Sequence, residues 1–156
     1  MSPHPALEPI AFLLGTWTGR GHGDYPTIDG FDYDEEVTIV PLGPKPILRY
    51  AQLTWAANTK EPMHSEIGFI RPAGPDAAEL VIAQPTGITE IHTGAIHGQR
   101  IEFRSVSVER APTAKEVLTV ERHIEVNERI LTYELLMGAV GQPHQLHLEA
   151  TLELSN

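Results

Sequence analysis

Glycine and proline interrupt this chain from end to end, 13 of each in 156 residues, and almost nowhere leave room for a helix of ordinary length. Proline removes a helical N–H and clashes with the preceding turn, and glycine costs backbone entropy inside any regular element. Between these breakers lie short segments in which apolar and polar residues alternate, the period of a strand with one buried face. In the segment Arg100–Glu109, Ile101, Phe103, Ser105 and Ser107 fall on one side, and Glu102, Arg104 and Val106 on the other. In Arg129–Val140, Leu131, Tyr133, Leu135 and Met137 share a side. The exception is the opening stretch Ala6–Leu14, which reads as a short helix that Pro9 limits to a turn or two.

Ten strands are expected, at Gly15–Gly23, Tyr33–Val40, Ile47–Ala57, Met63–Arg71, Glu79–Gln84, Gly87–Ala95, Arg100–Glu109, Glu116–Val126, Arg129–Val140 and Gln145–Leu154. The connections are short, among them Pro85-Thr86-Gly87, Gly98-Gln99, Asn127-Glu128 and Gly141-Gln142-Pro143. Short turns between consecutive strands make antiparallel neighbours. Hairpin after hairpin favours an up-and-down barrel over a sandwich. The fold expected is therefore all-β: a ten-stranded antiparallel barrel of the lipocalin and fatty-acid-binding-protein kind, its N-terminal helix closing one end. No repeat or linker divides the chain, so residues 1–156 read as one domain. A barrel of more than eight strands is wider than its own side chains can fill, so a ligand cavity is expected inside.

Composition narrows the partners. With 11 Lys+Arg against 21 Asp+Glu the formal charge is −10, which argues against nucleic acid and anionic membranes. There is no cysteine, so disulfides, iron–sulfur clusters, thiolate zinc sites and a cysteine nucleophile are excluded. Apolar runs such as Ala11-Phe12-Leu13-Leu14 are too short to span a bilayer, and Met1-Ser2-Pro3-His4-Pro5 lacks the pattern of a secretory signal. A cytoplasmic protein is the default expectation.

Directly after the short helix the chain reads Leu14-Gly15-Thr16-Trp17-Thr18-Gly19-Arg20-Gly21, then Asp24-Tyr25-Pro26-Thr27-Ile28. Gly15, Trp17, Gly19 and Gly21 share one strand face, where glycines permit tight coiling or close approach by a neighbour. Trp17 would plug the closed end over the helix. Further along come Glu61-Pro62-Met63-His64-Ser65-Glu66, Gly68-Phe69-Ile70-Arg71-Pro72, Ala83-Gln84-Pro85-Thr86-Gly87, Met137-Gly138-Ala139-Val140-Gly141 and His147-Leu148. In this order, over nearly the whole chain, these segments resemble the nitrobindin family of small haem-binding β-barrels. The resemblance implies one ferric haem b per chain, reversible binding of nitric oxide, and isomerisation of peroxynitrite to nitrate at an iron with an open sixth position. It implies that His147 is the proximal metal ligand, and that Thr27, Met63, His64, Gln84 and Met137 lie around the cofactor. The hydroxyl of Thr27 would donate to a propionate or cap a turn. A monomer or homodimer is expected.

The residues alone do not fix how His147 points. His144 and His147 are three apart and fall on opposite faces of a regular strand, so one metal cannot take both without a bulge. In the last strand Leu146, Leu148, Ala150, Leu152 and Leu154 share one parity, and His147, Glu149, Thr151 and Glu153 the other. A rule of apolar side inward turns His147 out. A hairpin centred on Gln142 instead pairs Met137 with His147, Leu135 with Glu149 and Tyr133 with Thr151, turning His147 in. A one-residue slip reverses it. With His147 inward, Leu146, Leu148 and Leu152 form an apolar outer face that a second copy could cover. Met63 and His64 are adjacent, so only one enters the cavity unless the strand is distorted there. Glu35-Glu36 and Asp32 with Asp34 read as a solvated acidic edge without a role.

A second function fits the same architecture: a carrier of a fatty acid or other small lipophile, without catalysis. Its carboxylate would need an internal cation, for which Arg49, Arg104 and Arg122 are candidates by position.

Overall fold

A computed structural model describes residues 2–155, so the two ends of the expected 1–156 domain lie outside the described residues. A 3₁₀ helix at Pro5–Leu13 is followed by ten strands: β1 Gly15–Tyr25, β2 Ile28–Pro41, β3 Leu48–Ala56, β4 Pro62–Pro72, β5 Ala77–Gln84, β6 Ile88–His97, β7 Arg100–Arg110, β8 Val117–Asn127, β9 Ile130–Ala139 and β10 Gln145–Ser155. Each strand pairs antiparallel with the next, and β1 pairs with β10 from Thr16↔Ser155 to Gly23↔Leu148, which closes the barrel. No described helix is long and apolar enough to cross a membrane.

The helix buries Leu7, Ile10 and Leu13. That spacing of three matches the three residues per turn of a 3₁₀ helix, so the three side chains stack on one face and enter the barrel end together. Trp17 Nε1 donates to the Leu13 carbonyl at 3.0 Å, fastening β1 to the end of the helix. Around them Val37, Ile39, Leu48, Ile70, Leu80, Ile101, Phe103 and Leu152 form the packed core.

The glycines of β1 act through space. A Cβ on Gly19 would meet the backbone oxygen of Thr151 at 2.2 Å, and one on Gly21 would lie 2.2 Å from the ring of Tyr33. The small face of β1 therefore lets β10 come close and leaves room for the Tyr33 ring over Gly21.

Strand positions agree with expectation to within a few residues except at β2, which begins at Ile28 rather than Tyr33. The stretch Ile28-Asp29-Gly30 looks like loop because it is polar and holds glycine, but the two-residue turn Pro26-Thr27 lets it pair with β1 at once. At β7 the register with β6 shifts past Val106, so Ile91 faces Ser107 and His92 faces Ser105. Ser107, expected on the side of Ile101 and Phe103, thereby joins exposed Ile91 on the outside.

Candidate functional site

The end of the barrel away from the helix opens into a cavity of about 270 Å³. Phe31, Tyr33, Ile88, Val117, Leu135, Met137 and Leu148 give it apolar walls, and Met63, His64, Gln84 and His147 also line it. The structure thus gathers five of the six residues expected around a cofactor. The sixth, Thr27, is exposed in the β1–β2 turn and does not line the cavity.

Two irregularities build this mouth. Between β9 and β10, Gln145 pairs with Met137 and Leu146 with Leu136, then the register jumps so that Leu148 pairs with Leu135 and Ala150 with Tyr133. The expected pairs of Met137 with His147 and Tyr133 with Thr151 are therefore wrong. His147 is the extra residue of a β-bulge, and a bulge lets two consecutive side chains face one side. Both His147 and Leu148 line the cavity, while Leu152 is fully buried. Of the apolar outer face expected on β10, Leu146 alone remains strongly exposed. On β4 the register with β3 shifts between Leu53↔Ser65 and Trp55↔Pro62. Thr54 sits opposite the extra residue, its hydroxyl accepting from the His64 N–H at 2.9 Å and donating to the His64 carbonyl at 3.2 Å. Met63 and His64 enter the same cavity through this distortion.

His147 is half-buried and tightly held. Its Nδ1 lies 3.0 Å from the carbonyl oxygen of Asp24, which sits where β1 itself shifts register, between Gly23 and Tyr25. A carbonyl can only accept, so Nδ1 carries the proton and Nε2 keeps its lone pair. The Tyr25 ring meets the imidazole edge-on at 5.2 Å. Tyr25 is in turn anchored to β9, its hydroxyl donating to the Met137 carbonyl at 3.1 Å and accepting from the Ala139 N–H at 3.0 Å. Burial holds the His147 pKa below its ordinary value, so the neutral ring is favoured. A neutral imidazole with one nitrogen fixed and the other free is what a metal centre takes from histidine. His144 instead lies outside the cavity, its Nδ1 2.8 Å from the Thr119 hydroxyl.

Beneath the mouth lies a layer of buried charge that alternation within each strand places inside. Glu66 on β4, Glu90 on β6 and Arg122 on β8 are all buried. Arg122 donates to both oxygens of Glu66, at 2.5 and 3.2 Å, and to both oxygens of Glu90, each at 3.1 Å. Glu66 also accepts from the Tyr50 hydroxyl at 2.8 Å and lies 3.4 Å from His64 Nε2. Glu90 accepts from Gln84 and pairs with His92 Nε2 at 2.8 Å. Burial alone would raise both carboxyls, but the Arg122 charge and these hydrogen bonds outweigh it and hold both below their ordinary range. Arg49 is exposed and Arg104 sits outside beside Glu121 at 3.6 Å, so among the three arginine candidates Arg122 alone faces inward.

Glu35 corrects the reading of a solvated acidic edge. It is 2% exposed, on the same strand face as Tyr33, Val37 and Ile39. Its Oε2 accepts from Tyr133 at 2.6 Å and from Gln52 Nε2 at 2.9 Å, while Tyr33 and Tyr133 hydroxyls meet at 2.6 Å. Oε1 is buried with no partner among the described residues. Burial pushes this carboxyl up to about 7, against the pull of the two hydrogen bonds. Asp32 and Asp34 do lie outside, Asp32 beside His22 and Asp34 beside Arg20 and Lys60. The parity Phe31-Tyr33-Glu35-Val37-Ile39 was the available signal for Glu35.

Residues 6–153 match the family model described as THAP4-like, heme-binding beta-barrel domain. The chain is 52% identical over 153 residues to a protein of Mycobacterium avium named peroxynitrite isomerase 2, covering 96% of this chain and 94% of that one. It is 47% identical to a peroxynitrite isomerase of Nocardia farcinica, covering 96% of this chain and 90% of that one. The crystal structure of Rv2717c from M. tuberculosis superposes with a TM-score of 0.92 at 44% identity, covering 99% of this chain and all of that one. An S-type phycobiliprotein lyase of Guillardia theta shares the fold alone, at a TM-score of 0.65 and 8% identity.

Proposed function

The chain belongs to the family of THAP4-like heme-binding β-barrel domains, and on that premise we propose that it holds one ferric haem b through His147, binds nitric oxide and isomerises peroxynitrite to nitrate. The observation that carries the reading is the state of His147: neutral, inside the cavity, its Nδ1 proton committed to the Asp24 carbonyl. The residues present fit the group. Nε2 of His147 would ligate the iron, and the apolar side chains Phe31, Leu135, Met137 and Leu148 would contact the porphyrin. When bound, the haem supplies an iron whose open position takes up a diatomic ligand or peroxynitrite.

The chain's own part is positional. Tyr25 and the Asp24 carbonyl keep the imidazole from turning, so its lone pair points one way. The apolar walls keep water from that side. Peroxynitrite and nitrate have the same atoms, so no net proton moves and no general acid is required. His64 is correspondingly engaged with Glu66 rather than presented as a free donor.

The test is an absorption titration with haemin, followed by stopped-flow decay of peroxynitrite with haem protein, apo protein and the His147→Ala variant. We expect a Soret band and faster decay with higher nitrate yield for the loaded protein. The His147→Ala variant should lose tight haem binding while keeping its β circular dichroism, and His144→Ala should keep both. Equal decay in all three proteins would refute the activity, and loss of haem from His144→Ala with retention by His147→Ala would refute the ligand.

A further inference from the structure

We propose that Glu66 and Glu90 set the ligand class of the cavity floor, closing Arg122 to a carboxylate that reaches it, so that the floor takes an uncharged head group and rejects that of a fatty acid, while carboxylates left at the mouth, as on a haem, do not meet it. This goes beyond the haem reading and does not depend on it.

An apolar cavity with a buried arginine at its floor would ordinarily suit a fatty acid, because guanidinium pairs with carboxylate through two parallel hydrogen bonds. Here both terminal nitrogens of Arg122 are already engaged by Glu66 and Glu90. The remaining nitrogen, Nε, is buried without a partner among the described residues. The two glutamates are themselves fixed, Glu66 by Tyr50 and His64, Glu90 by His92 and Gln84, so neither can swing away without leaving several polar groups unpaired. Both carboxyls are held ionised. The two carboxylates outnumber the one guanidinium they face, and Glu35 adds a further fraction near neutral pH. A carboxylate entering the cavity would lose its water and meet repulsion, with no free cation among the lining residues to compensate. An alcohol of the same chain length pays a smaller desolvation cost, meets no repulsion and finds acceptors.

The probes are decanol and decanoate, measured by calorimetry on the haem-free full chain at pH 8, where decanoate is ionised. The native protein should bind decanol at least about tenfold more tightly than decanoate. The double variant Glu66→Gln, Glu90→Gln removes both negative charges and one acceptor oxygen from each side chain facing Arg122, and its preference should reverse, with decanoate raising its Tm more than decanol does. Decanoate binding the native protein as tightly as decanol overturns the proposal, and so does native protein that binds neither. A double variant that is folded by circular dichroism yet keeps the native preference overturns it as well. The comparison on native protein stands alone if the variant does not fold. Since no haem is added, failure here is separate from failure of the haem assignment.

Discussion

At the scale of single residues, Glu35 and His147 behave as opposites, and pH tells them apart. The Glu35 carboxyl moves from an ordinary 4.5 to about 7 on folding, because burial disfavours its charge. A raised folded-state pKa gives stability that is complete below 4.5 and is lost as pH rises through about 7. A change of that size corresponds to on the order of 3 kcal/mol. Glu66 and Glu90 run the other way, stabilising above 4.5 and losing that contribution as pH falls. His147, lowered by burial, stabilises above 6.5 and loses its contribution below. The difference between native protein and Glu35→Gln cancels the shared groups. Urea unfolding should show the native chain losing stability relative to the variant between pH 5 and pH 8, and parallel curves would remove Glu35 as the cause. His64 gives a kinetic counterpart. Since isomerisation needs no net proton, His64→Leu should slow peroxynitrite decay by less than the roughly hundredfold typical of a lost general acid or base. A larger loss in stopped-flow, with haem still bound, would make His64 a proton-transferring group.

At the scale of elements, β1 and the bulges explain what could be read from the sequence and what could not. Gly21 faces the Tyr33 ring, and a Cβ there would fall 2.2 Å from it. The ring is buried and its hydroxyl is tied to Tyr133, so it cannot move aside cheaply. Gly21→Ala should therefore cost about 1–3 kcal/mol by chemical denaturation. It should also alter the ultraviolet titration of the tyrosines, because Tyr33 anchors the chain of hydroxyls to Glu35. An unchanged midpoint would mean the wall yields. Strand period and turn residues made the ten strands and the barrel legible, because both are local properties of the chain. The orientation of His147 was not, because it depends on one residue of slip between β9 and β10, and apolar alternation pointed outward. The bulge satisfies both demands, keeping Leu148, Ala150 and Leu152 inward while adding His147 beside them. The same device at Met63 and His64 defeats the alternation rule there. Glu66 and Glu90 escaped notice for a different reason, and Arg122 stood only as one of three candidate cations: each glutamate is a lone carboxylate between Ser65 and Ile67 or Thr89 and Ile91, and only their convergence with Arg122 from β4, β6 and β8 makes them a buried unit.

At the scale of the whole molecule, the site and the closure of the barrel are one structure. His147 stands on β10, the strand that pairs with β1 to shut the sheet, and the Asp24 carbonyl that holds it comes from β1 itself. The cavity is lined from β2, β3, β4, β5, β6, β8, β9 and β10, so a ligand there contacts nearly every strand of the closed form and has no comparable site in the unfolded chain. A ligand of this kind stabilises the folded state by mass action, by about 2.7 kcal/mol at a hundredfold excess over Kd. For a chain of this size each kcal/mol raises Tm by roughly 2–4 °C, so haemin at that excess should raise Tm by about 5–11 °C. The transition should remain single, because first and last strands hold each other and no part of the sheet can open alone without exposing two edges. His147→Ala should remove most of the haemin-dependent rise while leaving the haem-free Tm within a few degrees, since its ring is only half-buried. Calorimetry on both proteins with and without haemin decides it. A rise that persists undiminished in His147→Ala would mean the porphyrin is held by the apolar walls and not through the iron, and two separate transitions would mean the barrel does not close as one unit.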